Sequence, residues 1–199
     1  MSGDRNQKVT EWIDVAAPRE LVFDLVLNLE RRMQLSPLWG IAEISGLSAD
    51  YPNPGSHYHV RVVKGEQIEY DTQITELQPL RKLSYRLLVE RNSHITWNIQ
   101  DSASGTRILY EETFNVQDED ADLAESVREV IKNWLQNIKR YLELPQSRTG
   151  RVVRWFMDRY YLKLRQDQRR AVQAILFMQA IGFISFVMAA IALGIAGIL

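Results

Sequence analysis

Between residues 57 and 115 apolar and polar positions alternate, run after run. The runs are "HYHVRVV", "EQIEYDTQITEL", "RKLSYRLLVE", "SHITWNIQ" and "TRILYEETFN", each bounded by turn residues. Alternation with period two is the pattern of a half-buried strand. Shorter strands are predicted at "KVTEWIDV" and "GIAEISGL". Lys64-Gly65 and Ser104-Gly105 mark tight hairpins, and "SADYPNPGS" a longer loop. In two places the period becomes helical. "PRELVFDLVLNLERRM" opens on Pro18 and sets Leu21, Val22, Leu25 and Leu29 on one stripe. A break follows at "SPLWG", with room for a short second helix around it. Residues 119–144 predict a long helix with the stripe Leu123, Val127, Val130, Ile131, Trp134, Ile138, Tyr141, Leu142. The acidic run "DEDAD" at its start suits the helix dipole.

The alternation assigns each strand an inner face. Tyr58, Val60 and Val62 fall on it, followed by Ile68, Tyr70, Thr72 and Ile74. Leu83, Tyr85, Leu87 and Val89, then Ile95, Trp97 and Ile99, then Ile108, Tyr110 and Phe114 complete it. His57, His59, Arg61, Glu69, Asp71, Gln73, Arg86, Asn98, Arg107 and Glu111 take the other face. One antiparallel sheet, wet on one side and covered on the other by the 119–144 helix, accounts for both sets.

The final stretch follows neither period. Ala171–Leu199 holds 29 residues without a charge, and only Gln173, Gln179 and Ser185 are clearly polar. A bilayer span needs about 20 apolar residues, so one transmembrane helix is predicted over 171–199. Gly182, Ser185, Ala189, Ala192 and Ala196 line one side of it, a surface suited to self-association. Just before it, residues 147–170 read as one basic amphipathic juxtamembrane helix. Val153, Phe156, Met157, Tyr160 and Leu164 form its apolar stripe. Arg148, Arg151, Arg154, Arg159, Lys163, Arg165, Arg169 and Arg170 take the rest, with Trp155 and Leu162 among them. Anionic lipid headgroups are the expected partner of Arg151, Arg154, Trp155, Arg159, Lys163, Arg165, Arg169 and Arg170. The rival readings are nucleic acid, disfavoured by the adjoining span and the aromatic residues, and a helix packed on the preceding domain.

Charge sharpens this division. Residues 1–147 carry 16 Lys and Arg against 23 Asp and Glu, a net of −7, while residues 148–199 carry a net of +6. Basic residues flank the apolar run only on its N-terminal side, which predicts a cytoplasmic N-terminal domain on a plasma or inner membrane. "MSGDRNQKV" has no apolar segment, so a signal peptide is not expected. The absence of cysteine excludes disulfides, thiolate metal sites and a cysteine nucleophile. His57 and His59 share a strand face but lack a third ligand, so no metal site is expected. No nucleophile elbow, phosphate loop or HExxH pair occurs. No cofactor is expected.

The order strand, helical segment, six strands, long helix comes with "IDVAAPRELVFDLVLNLE", "ITELQPLRKLSYRL", "ITWNIQDSASGTRILYEETF" and "LQNIKRYLEL". This resembles the START-like, or SRPBCC, superfamily, in particular its polyketide cyclase/dehydrase-like branch. The resemblance covers about residues 6–144 and sets the domain at 1–146. It implies an α+β helix-grip fold, in which a curved antiparallel sheet wraps a long C-terminal helix and leaves an apolar cavity between them. The inner-face residues Tyr58, Tyr70, Thr72, Tyr85, Trp97 and Tyr110 would then bind a hydrophobic ligand. Glu112 shares the face of Tyr110; it would bind the ligand with them and is also the candidate acid or base. Three readings stay open. One is a membrane-anchored binder of a lipid, isoprenoid or similar molecule, without catalysis. The others are a cyclase/dehydrase-like enzyme and a non-catalytic membrane regulatory or assembly module.

Overall fold

The computed structural model describes residues 5–37, 42–64, 66–89, 93–116, 123–144, 148–164 and 166–196. Within these ranges the side chains at 5, 42, 62–64, 66–68, 116, 148, 166, 167, 170, 173, 180, 187 and 189–196 are not described. The chain divides into two compact units, Met1–Lys163 and Leu164–Leu199.

In the first unit seven strands form one sheet. They are β1 (Arg5–Val15), β2 (Ala42–Ser45), β3 (His57–Lys64), β4 (Glu66–Gln78), β5 (Lys82–Leu88), β6 (His94–Ser102) and β7 (Gly105–Val116). The order across the sheet is β1-β7-β6-β5-β4-β3-β2, and every neighbouring pair is antiparallel. The inner face follows the alternation. Tyr58, Val60, Tyr70, Thr72, Ile74, Leu83, Tyr85, Ile95, Trp97, Ile99, Ile108, Tyr110 and Phe114 are all buried. Val62 and Ile68 lie outside the described side chains.

The helices differ more from expectation. The first helical run breaks at Asn28 into α1 (Arg19–Leu27) and α2 (Leu29–Gln34). The Asn28 side chain accepts from the Arg31 amide at 3.0 Å and so starts a new helix. The second helix thus ends before Ser36, and residues 38–40 of "SPLWG" lie outside the described residues. Leu21 is exposed, while Val22, Phe23, Leu25, Val26 and Leu29 are buried.

The long helix, α3 (Leu123–Glu143), crosses the inner face, and its start at 119–122 lies outside the described residues. Hydrogen bonds fix its C-terminal half. Trp134 Nε1 donates to the Arg32 carbonyl at 3.0 Å and Asn137 Nδ2 to the Leu35 carbonyl at 3.0 Å. Lys139 Nζ donates to the Asp14 carbonyl at 2.8 Å, and the Ala16 amide donates to Glu143 Oε1 at 3.0 Å. The sheet, α1, α2 and α3 thus enclose one core.

Residues 147–170 are not one continuous helix. α4 (Arg148–Arg159) ends and the chain passes through a 3-10 turn at Tyr161–Lys163. α4 belongs to the first unit. The Asp158 carboxylate accepts from the Tyr141 hydroxyl at 2.8 Å and pairs with Arg31 at 2.8 Å. Arg154 stacks 4.5 Å from the centre of the Tyr141 ring. Leu162, which the wheel placed among the charges, is 2% exposed, and Met157 and Tyr161 pack against the core. The reason is geometric: the 3-10 turn takes Leu162 off the α4 wheel. Five large apolar residues of this segment stay exposed: Val152, Val153, Trp155, Phe156 and Tyr160.

The second unit holds α5 (Gln166–Ala196), a helix of 31 residues. Among the described residues no helix is long and apolar enough to cross a membrane, so the expected span finds no support there. The side chains of Gln173, Ala180, Val187 and every residue from 189 on lie outside the described set and interrupt the run. Of the expected small surface, Gly182 and Ser185 are described and exposed, whereas Ala189, Ala192 and Ala196 are not described.

Candidate ligand-binding cavity

A cavity of about 340 Å³ lies between the sheet and α3. Ligand sites in proteins run from about 300 to 1,000 Å³ and are mostly apolar with a few polar groups. The sheet supplies Tyr58 and, across the β3–β4 ladder, its partner Thr72. Tyr70, Tyr85, Ile95, Tyr110 and Glu112 continue that wall. Leu123, Val127, Val130, Ile131 and Trp134 close it from α3, at the helical spacing read from the sequence. Ser126 is solvent-exposed and also lines the cavity. The space therefore reaches the surface at the first turn of α3.

Six of the seven sequence-assigned residues line this space: Tyr58, Tyr70, Thr72, Tyr85, Tyr110 and Glu112. Trp97 is not among the residues that line it. Trp134 lies over it, with ring centres 5.2 Å apart, and Tyr110 meets it edge-on at 4.8 Å. Trp97 is fully buried one row behind the wall, and its Nε1 donates to the Tyr85 hydroxyl at 3.2 Å. It fixes where that phenol points.

Glu112 is partly buried, and Tyr110 donates to its Oε2 at 2.8 Å. Burial pushes the Glu112 carboxyl above the usual range, with hydrogen bonds from Tyr110 and Ser93 pulling the other way. Burial also raises the phenols of Tyr58, Tyr70 and Tyr85, so all three are neutral at neutral pH. Glu111 faces the opposite side, where it pairs with Lys8 and accepts from Asn98 at 3.1 Å.

One lining residue was missed. Arg32 is 1% exposed and reaches the cavity from α2. Its Nη1 donates to the Val26 carbonyl at 2.6 Å and its Nη2 to the Tyr58 hydroxyl at 3.2 Å. The guanidinium stacks 4.9 Å from the centre of the Tyr85 ring. A signal existed: Arg32 stands three residues after buried Leu29 and next to buried Met33, on the core side of α2. An arginine inside a charged "ERRM" run reads as solvated without knowledge of the fold.

On the outer face His57 contacts Ser48 at 2.9 Å and His59 contacts Asp71 at 3.0 Å. Among the described residues no cluster of His, Asp and Glu could hold a metal ion. In the basic segment Arg151, Trp155, Arg159 and Lys163 are exposed, and Arg154 is half-buried on Tyr141. Arg165 and the Arg170 side chain lie outside the described residues. Arg169, in the second unit, donates its Nε to the Leu164 carbonyl at 2.9 Å.

The fold recurs in solved structures of low sequence identity. Protein CV1439 from Chromobacterium violaceum matches with a TM-score of 0.57 at 16% identity, over 68% of this chain and 97% of that one. Ms6760 from Mycobacterium smegmatis matches with a TM-score of 0.56 at 16% identity, over 73% and 99%. DynU16, a protein from the dynemicin biosynthetic locus, matches with a TM-score of 0.51 at 19% identity, over 68% of this chain and 47% of its own. No curated protein matches the chain. Apart from Arg5, the sheet, the long helix and the cavity between them fall within residues 6–143, which match the model of one family, and the chain belongs to that family, polyketide cyclase/dehydrase and lipid transport.

Proposed function

We propose that this protein is a membrane-tethered binding domain that accepts a hydrophobic small molecule from the bilayer. The observation that carries the reading is the cavity of about 340 Å³, apolar except for phenols, Thr72, Ser126, Arg32 and Glu112, open at the start of α3. The family description includes lipid transport. The tether is supported by the 29 uncharged residues after Arg170 and by the continuity of α5 as a 31-residue helix. Exposed Trp155, Phe156 and Tyr160 pack on one another, with ring centres 5.9 and 5.7 Å apart, beside Arg151 and Arg159. Such a surface suits headgroup level on anionic lipid. Tethering gives the cavity a high effective concentration of membrane-dissolved ligand.

The test is native mass spectrometry of the full chain taken from its membrane fraction in mild detergent. A stoichiometric apolar adduct supports the reading. Recovery of the intact chain entirely in the aqueous fraction, or a cavity that is always empty, overturns it.

A second reading has its own observation. Glu112, held by Tyr110 at 2.8 Å and raised by burial, is equipped to give or take a proton in the cavity. A cyclase/dehydrase-like enzyme would use it so. Turnover of a polyketide-like substrate that Glu112→Gln abolishes, with binding retained, would favour catalysis over carriage.

A further inference from the structure

Among the described residues Arg32 is a buried cation without a counter-ion. An arginine is not deprotonated in proteins, so it carries its charge where it sits. Burying a charge is expensive unless it is paired and hydrogen-bonded. The hydrogen bonds of Arg32 go to the Val26 carbonyl and the Tyr58 hydroxyl, both neutral, and its Nε has no partner. Among the described residues no carboxylate pairs with it; its contacts are with neutral groups and aromatic rings. Glu112, in the same lining, is held by Tyr110 instead. The faces of Tyr85 and Trp97, 4.9 and 5.9 Å from the guanidinium, offer a weak attraction. They contact its face and leave the Nε–H unpaired.

Resting on the ligand-binding reading above, we infer that the cavity recognises a single-headed amphiphile bearing a carboxylate, and that Arg32 is the residue that binds the carboxylate while the apolar wall takes the tail. A guanidinium edge matches a carboxylate in two parallel hydrogen bonds. The ligand then supplies the charge the fold omits. Glu112 in the same enclosure argues for one negative charge rather than the two of a phosphate ester. Met33, Leu87, Ile95, Val127, Val130 and Ile131 suit an alkyl or polyketide-like tail. Tyr58 holds the guanidinium in place, and Trp97 does the same for Tyr85.

The probe is dodecanoate enriched with ¹³C at the carboxyl, titrated by NMR against the full chain in zwitterionic micelles, with dodecan-1-ol as competitor. Micelles or an apolar pocket raise a carboxyl pKa, whereas an adjacent cation lowers it. The expected result is a protein-bound carboxyl resonance that ionises at lower pH than free dodecanoate. Dodecan-1-ol should displace it at least about tenfold more weakly than dodecanoate itself, the scale of a hydrogen bond to a charged group. In Arg32→Met the midpoint should rise above the free value, and Arg32→Lys should bind more weakly than wild type. If either variant fails to fold, the wild-type midpoint decides alone. A bound carboxyl that ionises at or above the free value, or equal displacement by dodecan-1-ol, overturns carboxylate recognition and leaves the cavity reading standing. If neither dodecanoate nor dodecan-1-ol enters, the binding reading itself fails.

Discussion

Tyr110 and Glu112 stand two apart on β7, on the same face, and the phenol donates to Glu112 Oε2 at 2.8 Å inside the cavity. Burial raises the Glu112 carboxyl, so the folded chain favours the protonated form more than the unfolded chain does. The stability it contributes is present below its unfolded value and is lost as pH climbs through the higher folded value. Glu112→Gln keeps an acceptor for Tyr110 and has no such loss. The variant should melt a few degrees above wild type at pH 7–8, with the gap closing by pH 4 in a thermal-shift series. A gap that widens on acidification would contradict the assignment.

Trp97 is a packing residue and should behave as one. It is fully buried against Tyr110 and Trp134. Trp97→Ala should cost about 3–5 kcal/mol, the range for emptying an aromatic core site. Tyr85→Phe, which removes only the hydroxyl that Trp97 holds, should cost about 1 kcal/mol. Urea unfolding of both variants measures the difference.

Gly105 opens β7 with φ +136°, and a Cβ there would lie 2.6 Å from the Val15 carbonyl oxygen and 3.1 Å from the Ala17 nitrogen. Both neighbours are backbone at the β1–α1 junction, which Thr106 also binds through Ala17 at 2.8 Å. They cannot move aside cheaply. Gly105→Ala should destabilise by at least about 1–3 kcal/mol, the cost of a residue held in such a backbone region. Chemical denaturation checks it, and an unchanged midpoint would mean that this junction is looser than described.

The end of the first unit at Lys163 predicts where to cut. A fragment of residues 1–146 lacks α4 and loses Leu162, which is 2% exposed, and the Asp158 bonds to Tyr141 and Arg31. Residues 1–163 should be more stable than 1–146 by about 1.5–3 kcal/mol from Leu162 burial alone. Equal urea midpoints would show that α4 adds nothing to the domain.

The sheet was legible because alternation is local. Each residue's neighbours two places away determine which side it takes, and the bounding turn residues are adjacent in the chain. The stripe on α3 was legible for the same reason at helical spacing. So were Tyr58, Tyr70, Thr72, Tyr85, Tyr110 and Glu112 as inner-face residues, and the family resemblance rested on the same order of elements.

What the sequence left open depends on contacts between distant segments. Whether an inner-face residue touches the cavity or stands behind its wall was decided by Trp134, which comes from α3 to cover Trp97. Arg32 is buried because the α1–α2 break turns it inward and α3 binds its carbonyl through Trp134. Periodicity treats an arginine as solvated and has no means of seeing a lid. Leu162 likewise left its expected surface because a 3-10 turn, which no repeat announces, ends the helix before it. The chain's own pattern therefore determined the layers and their faces, while tertiary packing alone decided which polar groups are shut inside them.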